Sequence, residues 1–305
     1  MTLKSKTYAW CALLRTWKMD LRFMQGSMQI QFLLAILYCS CLTCQDNPNE
    51  SKGNPIPEPP GGRLVWNDEF NGKRIDKKKW THEINGRGGG NRELQYYTDR
   101  LENSYIEDGS LVIQALKENY TGPDGFRQFT SARLTCRGKA GWKYGRFDIR
   151  AKLPAGKGLW PAIWMMPVAS IYGGWAASGE IDIMELLGHE PAKMYGTLHY
   201  GGTYPNNKSS GKSYTLPAGA FNEDFHLFTL EWEAGEMRWF VDSVLVQTQT
   251  EWYTSGAEFP APFDQEFYFI LNVAVGGNWP GSPDLSTHFP QQMAIDYIRV
   301  FSARE

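Results

Sequence analysis

The chain has 305 residues, of which 42% are hydrophobic and 14% aromatic, and its formal net charge is -2. That is apolar material for one sizeable core, and a chain without a basic excess lacks the electrostatic footprint of a nucleic-acid binder. Lys4, Lys6, Arg15, Lys18 and Arg22 stand against Asp20 in the first 44 residues, so the remainder is more acidic than the whole.

Residues 32–38 (FLLAILY) form a strongly apolar run with scattered basic residues before it and small residues and cysteines after it. This is the layout of an export signal, and it is too short to span a bilayer comfortably. Met24 or Met28 gives a signal of more usual length than Met1. Four of the five cysteines, Cys11, Cys39, Cys41 and Cys44, fall in this leader (1–44) and leave Cys136 alone in the body, so no disulfide framework is expected there. Cys41 or Cys44 resembles a lipidation site, which leaves a lipid anchor and simple secretion both open. Cys136 reads as a small buried hydrophobe. Residues 45–62 (QDNPNESKGNPIPEPPGG) hold almost no apolar side chains. They cannot bury enough surface to fold and read as a tether for a domain over 63–305.

Beyond the tether the hydrophobic period is two. In 146–153, Phe147, Ile149, Ala151 and Leu153 alternate with Arg146, Asp148, Arg150 and Lys152, which predicts a strand with one buried face. Further strands are expected at 111–115, 226–232, 237–241, 244–247, 267–275 and 293–301. Ala234-Gly235 and Asp242-Ser243 mark hairpins between successive strands. No capped 3.6-residue pattern occurs, so the expected fold is all-β, a sandwich of two antiparallel sheets. Twelve tryptophans exceed what such a core needs, and several flank Gly or Pro, as in Gly158-Leu159-Trp160-Pro161. They suggest an aromatic platform at strand ends.

The segment Gly179-Glu180-Ile181-Asp182-Ile183-Met184-Glu185-Leu186 carries the chemistry. In a regular strand Glu180 and Asp182 share one face and Glu185 joins Ile181 and Ile183 on the other. An unpaired carboxylate in the core is costly. A β-bulge near Met184 would return Glu185 to the acidic face. Three carboxylates on one face repel one another, an arrangement kept for function. Two of them about 5 to 5.5 Å apart suit a retaining glycosidase, one attacking the anomeric carbon and one protonating the leaving oxygen. A calcium cluster is the competing reading of these acids, but calcium wants loop carbonyls.

At these residues the chain resembles glycoside hydrolase family 16, in its laminarinase-like branch with the bulged E-x-D-x-x-E signature. The likeness runs from Trp66 to Phe301, through Trp66-Asn67-Asp68-Glu69-Phe70, Arg92-Glu93-Leu94-Gln95-Tyr96-Tyr97-Thr98, Trp160-Pro161-Ala162-Ile163-Trp164, the acidic strand and Gly276-Gly277-Asn278-Trp279-Pro280. The resemblance implies a β-jelly-roll sandwich with an open concave glycan cleft and endo-hydrolysis of β-1,3-glucan, with mixed-linkage β-1,3-1,4-glucan as a secondary substrate. It implies Glu180 as nucleophile, Asp182 as assisting acid and Glu185 as acid/base. Trp160, Trp164 and Trp175 would stack on the sugars, Asn91, Glu93 and Arg133 would contact hydroxyls, and His199 and Trp279 are further cleft candidates. It implies no catalytic cofactor, and a structural calcium ion on the convex side held by the Asp296 carboxylate with carbonyls of Glu69 and Gly109. A monomer is expected.

The glycine-rich 86–91 segment (GRGGGN) has a reach over the cleft that the sequence leaves undefined. Two other readings stand beside the glucanase. One is the same fold acting on a galactan such as agarose or carrageenan, where the acidic body counts mildly against the sulfated ones, and the other is a non-catalytic glucan-binding protein, which would be expected to have lost one or more of the acids.

Overall fold

The computed structural model describes residues 62–303. The leader (1–44), Met24, Met28, Cys41, Cys44 and all but the last residue of the tether (45–62) lie outside the described residues.

Strands in chain order are β1 (Leu64–Asp68), β2 (Thr81–His82), β3 (Gln95–Tyr97), β4 (Ser104–Glu107), β5 (Ser110–Gly122), β6 (Gly125–Ser131), β7 (Arg133–Thr135), β8 (Gly145–Lys152) and β9 (Leu159–Pro167). They continue as β10 (Glu180–Leu186), β11 (Lys193–Gly201), β12 (Asn207–Thr215), β13 (His226–Glu233), β14 (Glu236–Val241), β15 (Val244–Gln249), β16 (Phe267–Val275) and β17 (Gln291–Phe301). Every expected strand is present, several of them longer than the alternation suggests. One sheet runs β15-β14-β13-β8-β17-β5-β6-β3 with β1 on β17 and β4 on β5, and the other runs β12-β11-β10-β9-β16-β7-β2. All named pairings are antiparallel except β3 with β6. This is the jelly-roll sandwich that the patterning and the resemblance imply.

Local chemistry explains the turns. Asp242 (φ 48°) and Ser243 (φ 70°) both occupy the left-handed region between β14 and β15. Two such residues form the turn whose twist matches a tight hairpin. On β8, Phe147, Ile149 and Ala151 are buried between the sheets. Arg146 on its outer face bonds Asp148 and Glu231.

An aromatic cluster fills the core. Phe269 lies 5.3 Å from Trp142 and 5.8 Å from Phe147 between ring centroids, and Trp232 meets Phe267 edge-on at 5.5 Å. Such pairs contribute about 0.5–1.5 kcal/mol each beyond the area they bury. Trp80, Trp232, Trp239 and Trp252 belong to this core, and Trp66 and Trp142 pack against it. Among the described residues the platform is therefore the smaller share of the tryptophans, Trp160, Trp164 and Trp175, with Trp279 packed against Trp160. Cys136 is buried as expected, accepts the Phe269 amide at 3.1 Å, and burial pushes its thiol to about 12.

Candidate active site

β10 lies between β9 and β11 near the middle of the seven-stranded sheet. Against β11, Glu180 pairs with His199 and Asp182 with Thr197, after which the register slips so that Glu185 faces Tyr195. Against β9, Asp182 pairs with Trp164 and Met184 with Ile163, which locates the extra residue at Ile183. The bulge inferred near Met184 is thus one position earlier. Ile181, Ile183 and Met184 are buried in the core. Glu180, Asp182 and Glu185 all line one cleft on the outer face of this sheet.

The cleft has a volume of about 680 Å³, a size suited to several sugar units. Its floor is the outer face of β9, where Trp160, Ala162, Trp164 and Met166 follow one another at period two. Trp160 Nε1 donates to Glu185 Oε1 at 3.0 Å, and Trp175 Nε1 donates to Glu180 Oε2 at 2.7 Å. His199 Nε2 stands 3.3 Å from Asp182 Oδ2 and 3.8 Å from Glu180 Oε1, and its ring lies against Trp175 with centroids 5.5 Å apart. The guanidinium of Arg133 covers the Trp164 ring at 4.8 Å and pairs with Glu83 at 3.0 Å.

Asn91 and Glu93 form one wall. The Glu93 carboxylate is buried and accepts from Gln95 Nε2 at 2.7 Å, Tyr97 Oη at 3.3 Å and Asn91 Nδ2 at 3.4 Å. Trp279 is not on the cleft lining itself. It packs edge-on against Trp160 (5.4 Å) and Tyr195 (5.0 Å) and is 40% exposed. His199 likewise acts on the cleft through the acids it touches.

Sequence reasoning missed Asn272, Asn278, Tyr204, Met166, Gly89 and Gly90, which also line the cleft. Asn272 had a signal: it is the lone polar residue in the apolar run 267–275, and it accepts from Trp164 Nε1 at 2.8 Å. Tyr204, on a loop after β11, had none.

Three clustered carboxyls cannot all ionise cheaply. Burial first, then the Asp182 charge, raises Glu180 to about 8, while His199, the Trp175 N–H and Arg133 pull the other way. Burial raises Asp182. Glu185 is pushed well above the usual carboxylate range by burial and by the charges of Asp182 and Glu180. Of the two glutamates, Glu180 has His199, the Trp175 N–H and Arg133 favouring its ionised form against burial, which fits it to give up its proton before Glu185 does.

In the other sheet, Asp68 pairs with Ile298 and Leu111 with Ile295, which brings Glu69, Gly109 and Asp296 to the same end. The Glu69 carboxylate is held by Arg299 at 2.9 and 2.8 Å, leaving its carbonyl as the donor. Asp296 Oδ2 accepts from Arg150 at 2.6 Å, so an ion there would share this carboxylate with a cation. All three are oxygen donors, the kind calcium takes.

A two-sheet jelly roll with paired glutamates on a tryptophan floor defines a glycan-cleaving β-sandwich enzyme. The chain belongs to Glycosyl hydrolases family 16, whose family model matches residues 91–299. A glucan endo-1,3-beta-glucosidase A1 of Niallia circulans is 42% identical over 84% of this chain and 40% of its own length. A beta-glucanase of Rhodothermus marinus is 41% identical over 88% of this chain and 93% of its own. The solved catalytic domain of an endo-1,3-beta-glucanase (laminarinase) from Thermotoga petrophila RKU-1 is 45% identical with a TM-score of 0.73, covering 80% of this chain and 99% of that one.

Proposed function

We propose that this chain is a retaining endo-hydrolase of β-1,3-glucan, with mixed-linkage glucan as a secondary substrate. The observation that carries the reading is the bulged strand, which turns Glu180, Asp182 and Glu185 toward one cleft, with tryptophan N–H groups on both glutamates. Glu180, ionised, attacks the anomeric carbon while Glu185 gives its proton to the leaving oxygen. Glu185 then takes a proton from water, which releases the sugar from Glu180. Where Asp182 is ionised, its charge raises the Glu185 carboxyl and helps it hold the proton. Trp160, Trp164 and Trp175 stack on glucose faces. Asn91, Glu93 and Arg133 hold hydroxyls.

Endo-action is supported by room beyond the cleft. Gly89, Gly90 and Arg133 border both the cleft and a second depression of about 440 Å³ beside Glu83, Ile84 and Asn85, which offers a place for further sugar units. The Asp296, Glu69 and Gly109 oxygens would hold a calcium ion that serves stability, with no step of the reaction passing through it. Export, with or without a lipid on Cys41 or Cys44, rests on the leader's composition, and a monomeric state belongs to the same reading.

The test is product analysis of the full chain on laminarin, mixed-linkage glucan, agarose and carrageenan, beside Glu180→Ser. Laminarin oligosaccharides that disappear with the variant are the expected result. Cleavage of a galactan alone would overturn the substrate, and no cleavage of any polymer would favour a binding protein.

A further inference from the structure

The bulge in β10 decides whether Glu185 faces the cleft or the core, and it needs a cause. One extra residue in a strand interrupts the ladder locally and can migrate or relax unless something anchors it. The anchor comes from the opposite sheet. Trp239, 1% exposed on β14, sends its indole Nε1 across the core to the backbone carbonyl of Asp182 at 3.0 Å. Asp182 is the last residue in register before the slip on both of its neighbours.

A second bond lands beside the first. Gln247, 3% exposed on β15, donates through Nε2 to the carbonyl of Gly196 at 2.8 Å. Gly196 lies on β11 between Thr197 and Tyr195, the two residues that flank the slip opposite the bulge. Gln249 fixes the orientation of the Gln247 amide by donating to its Oε1 at 3.2 Å and to the carbonyl of Ser210 on β12 at 3.1 Å.

Two further features fit this contact. A Cβ on residue 196 would meet Trp239 Cδ1 at 2.7 Å and Gln247 Nε2 at 2.9 Å, so glycine there makes room for both side chains. Trp239 and Gln247 are partners in their own sheet, at a second register slip where Trp239 pairs with Gln247 and Phe240 with Leu245. One bulge thus braces another through the core.

We propose that Trp239 and Gln247 are positioning residues for the reaction: together they fix the β10 bulge and so set Glu185 in its place relative to Glu180. The proposal rests on the assignment of those two glutamates as the reacting pair. Neither Trp239 nor Gln247 touches substrate, and each acts through the backbone of the acidic strand or its neighbour. A shift of about 1 Å in a reacting group costs on the order of a hundredfold in rate, so the clamp is read in kcat.

The experiment compares the full chain with Trp239→Phe, which keeps a large ring and loses the N–H, with Gln247→Met, which keeps length and loses the amide, and with Glu180→Ser. Steady-state kinetics on laminarin are taken over a pH series, with Tm measured for each protein. Expected for both clamp variants is a kcat lowered about tenfold to hundredfold with KM little changed, and a displaced basic limb of the pH profile, because the surroundings of Glu185 have moved. A purely structural role predicts a lower Tm with kcat per folded molecule and pH profile unchanged, and that result overturns the proposal. If Trp239→Phe fails to fold, Gln247→Met decides alone by the same criteria. Laminarin cleavage that persists in Glu180→Ser would overturn the glutamate assignment and the clamp with it, whereas a dead Glu180→Ser beside unaltered clamp variants would overturn the clamp only.

Discussion

Glu180 accepts one short bond from an indole, and the ring that supplies it is 37% exposed, so the donor belongs to the cleft wall more than to the core. A hydrogen bond to the ionised form lowers a carboxyl pKa, and its removal raises it. Trp175→Phe should therefore move the acidic limb of kcat/KM to higher pH by about one unit, since a bond to a charged group contributes about 1.5 kcal/mol. An unmoved limb in a pH-rate series would exclude Glu180 as the group titrating there. Stability carries the opposite signature of the same cluster. Glu185 is raised well above its ordinary value, so the native state holds more protons than the unfolded chain once pH exceeds the usual carboxylate range. The stabilisation present below that range is lost as pH rises through the folded-state value. Glu185→Gln removes this titration, and its Tm should gain on the parent progressively as pH rises above the usual carboxylate range, by about 2–4 °C per kcal/mol relieved. A constant Tm difference over that rise would show that the carboxyl is not held protonated.

Among elements, the loop carrying Gly88–Gly90 shows how backbone conformation selects residues. All three glycines have positive φ, but a Cβ on Gly89 would meet the Glu93 Oε1 at 2.2 Å, whereas one on Gly90 meets nothing within 4 Å. Left-handed backbone costs an alanine about 1–2 kcal/mol at either place. Only Gly89→Ala must also displace the carboxylate. Both variants should lose a few degrees of Tm, and Gly89→Ala alone should raise KM for laminarin several-fold. Equal KM values would remove Glu93 from substrate binding. Elements also mark where patterning was silent. β12 (NKSSGKSYT) has no apolar alternation because it is a largely exposed edge strand, held by its ladder with β11 and by the bond from Gln249. The hairpins at Ala234-Gly235 and Asp242-Ser243 were legible because their turn chemistry is local.

At the scale of the molecule, two sheets share one core, and residues on the outer face of the ten-stranded sheet can influence the whole without touching the cleft. The Asp296, Glu69 and Gly109 cluster tests this. A ligand at a hundred times its Kd stabilises by about 2.7 kcal/mol, which for a domain of this size is about 5–10 °C. Calcium should raise Tm over an EDTA-treated sample by that order, leave kcat at moderate temperature unchanged, and lose its effect in Asp296→Asn. A Tm indifferent to calcium would leave Asp296 as the partner of Arg150 only.

The all-β class, most central strands, the bulge and the three acids were readable along the chain, because alternation, turn propensity and the cost of burying a charge are properties of neighbours in sequence. Nothing local distinguishes Trp239, which packs in the core, from Trp164, which meets the cleft, since each sits on a strand among apolar residues. The difference arises from which sheet each strand joins and which face it turns outward. The same holds for Asn272, whose partner Trp164 is 108 positions away, and for Gln247, whose acceptor is 51 away. The sequence by itself determined the carboxylates and the face they must share. Only the packing of one sheet on the other decided what holds that face in place, because a bulge is anchored by groups that become its neighbours when the chain folds.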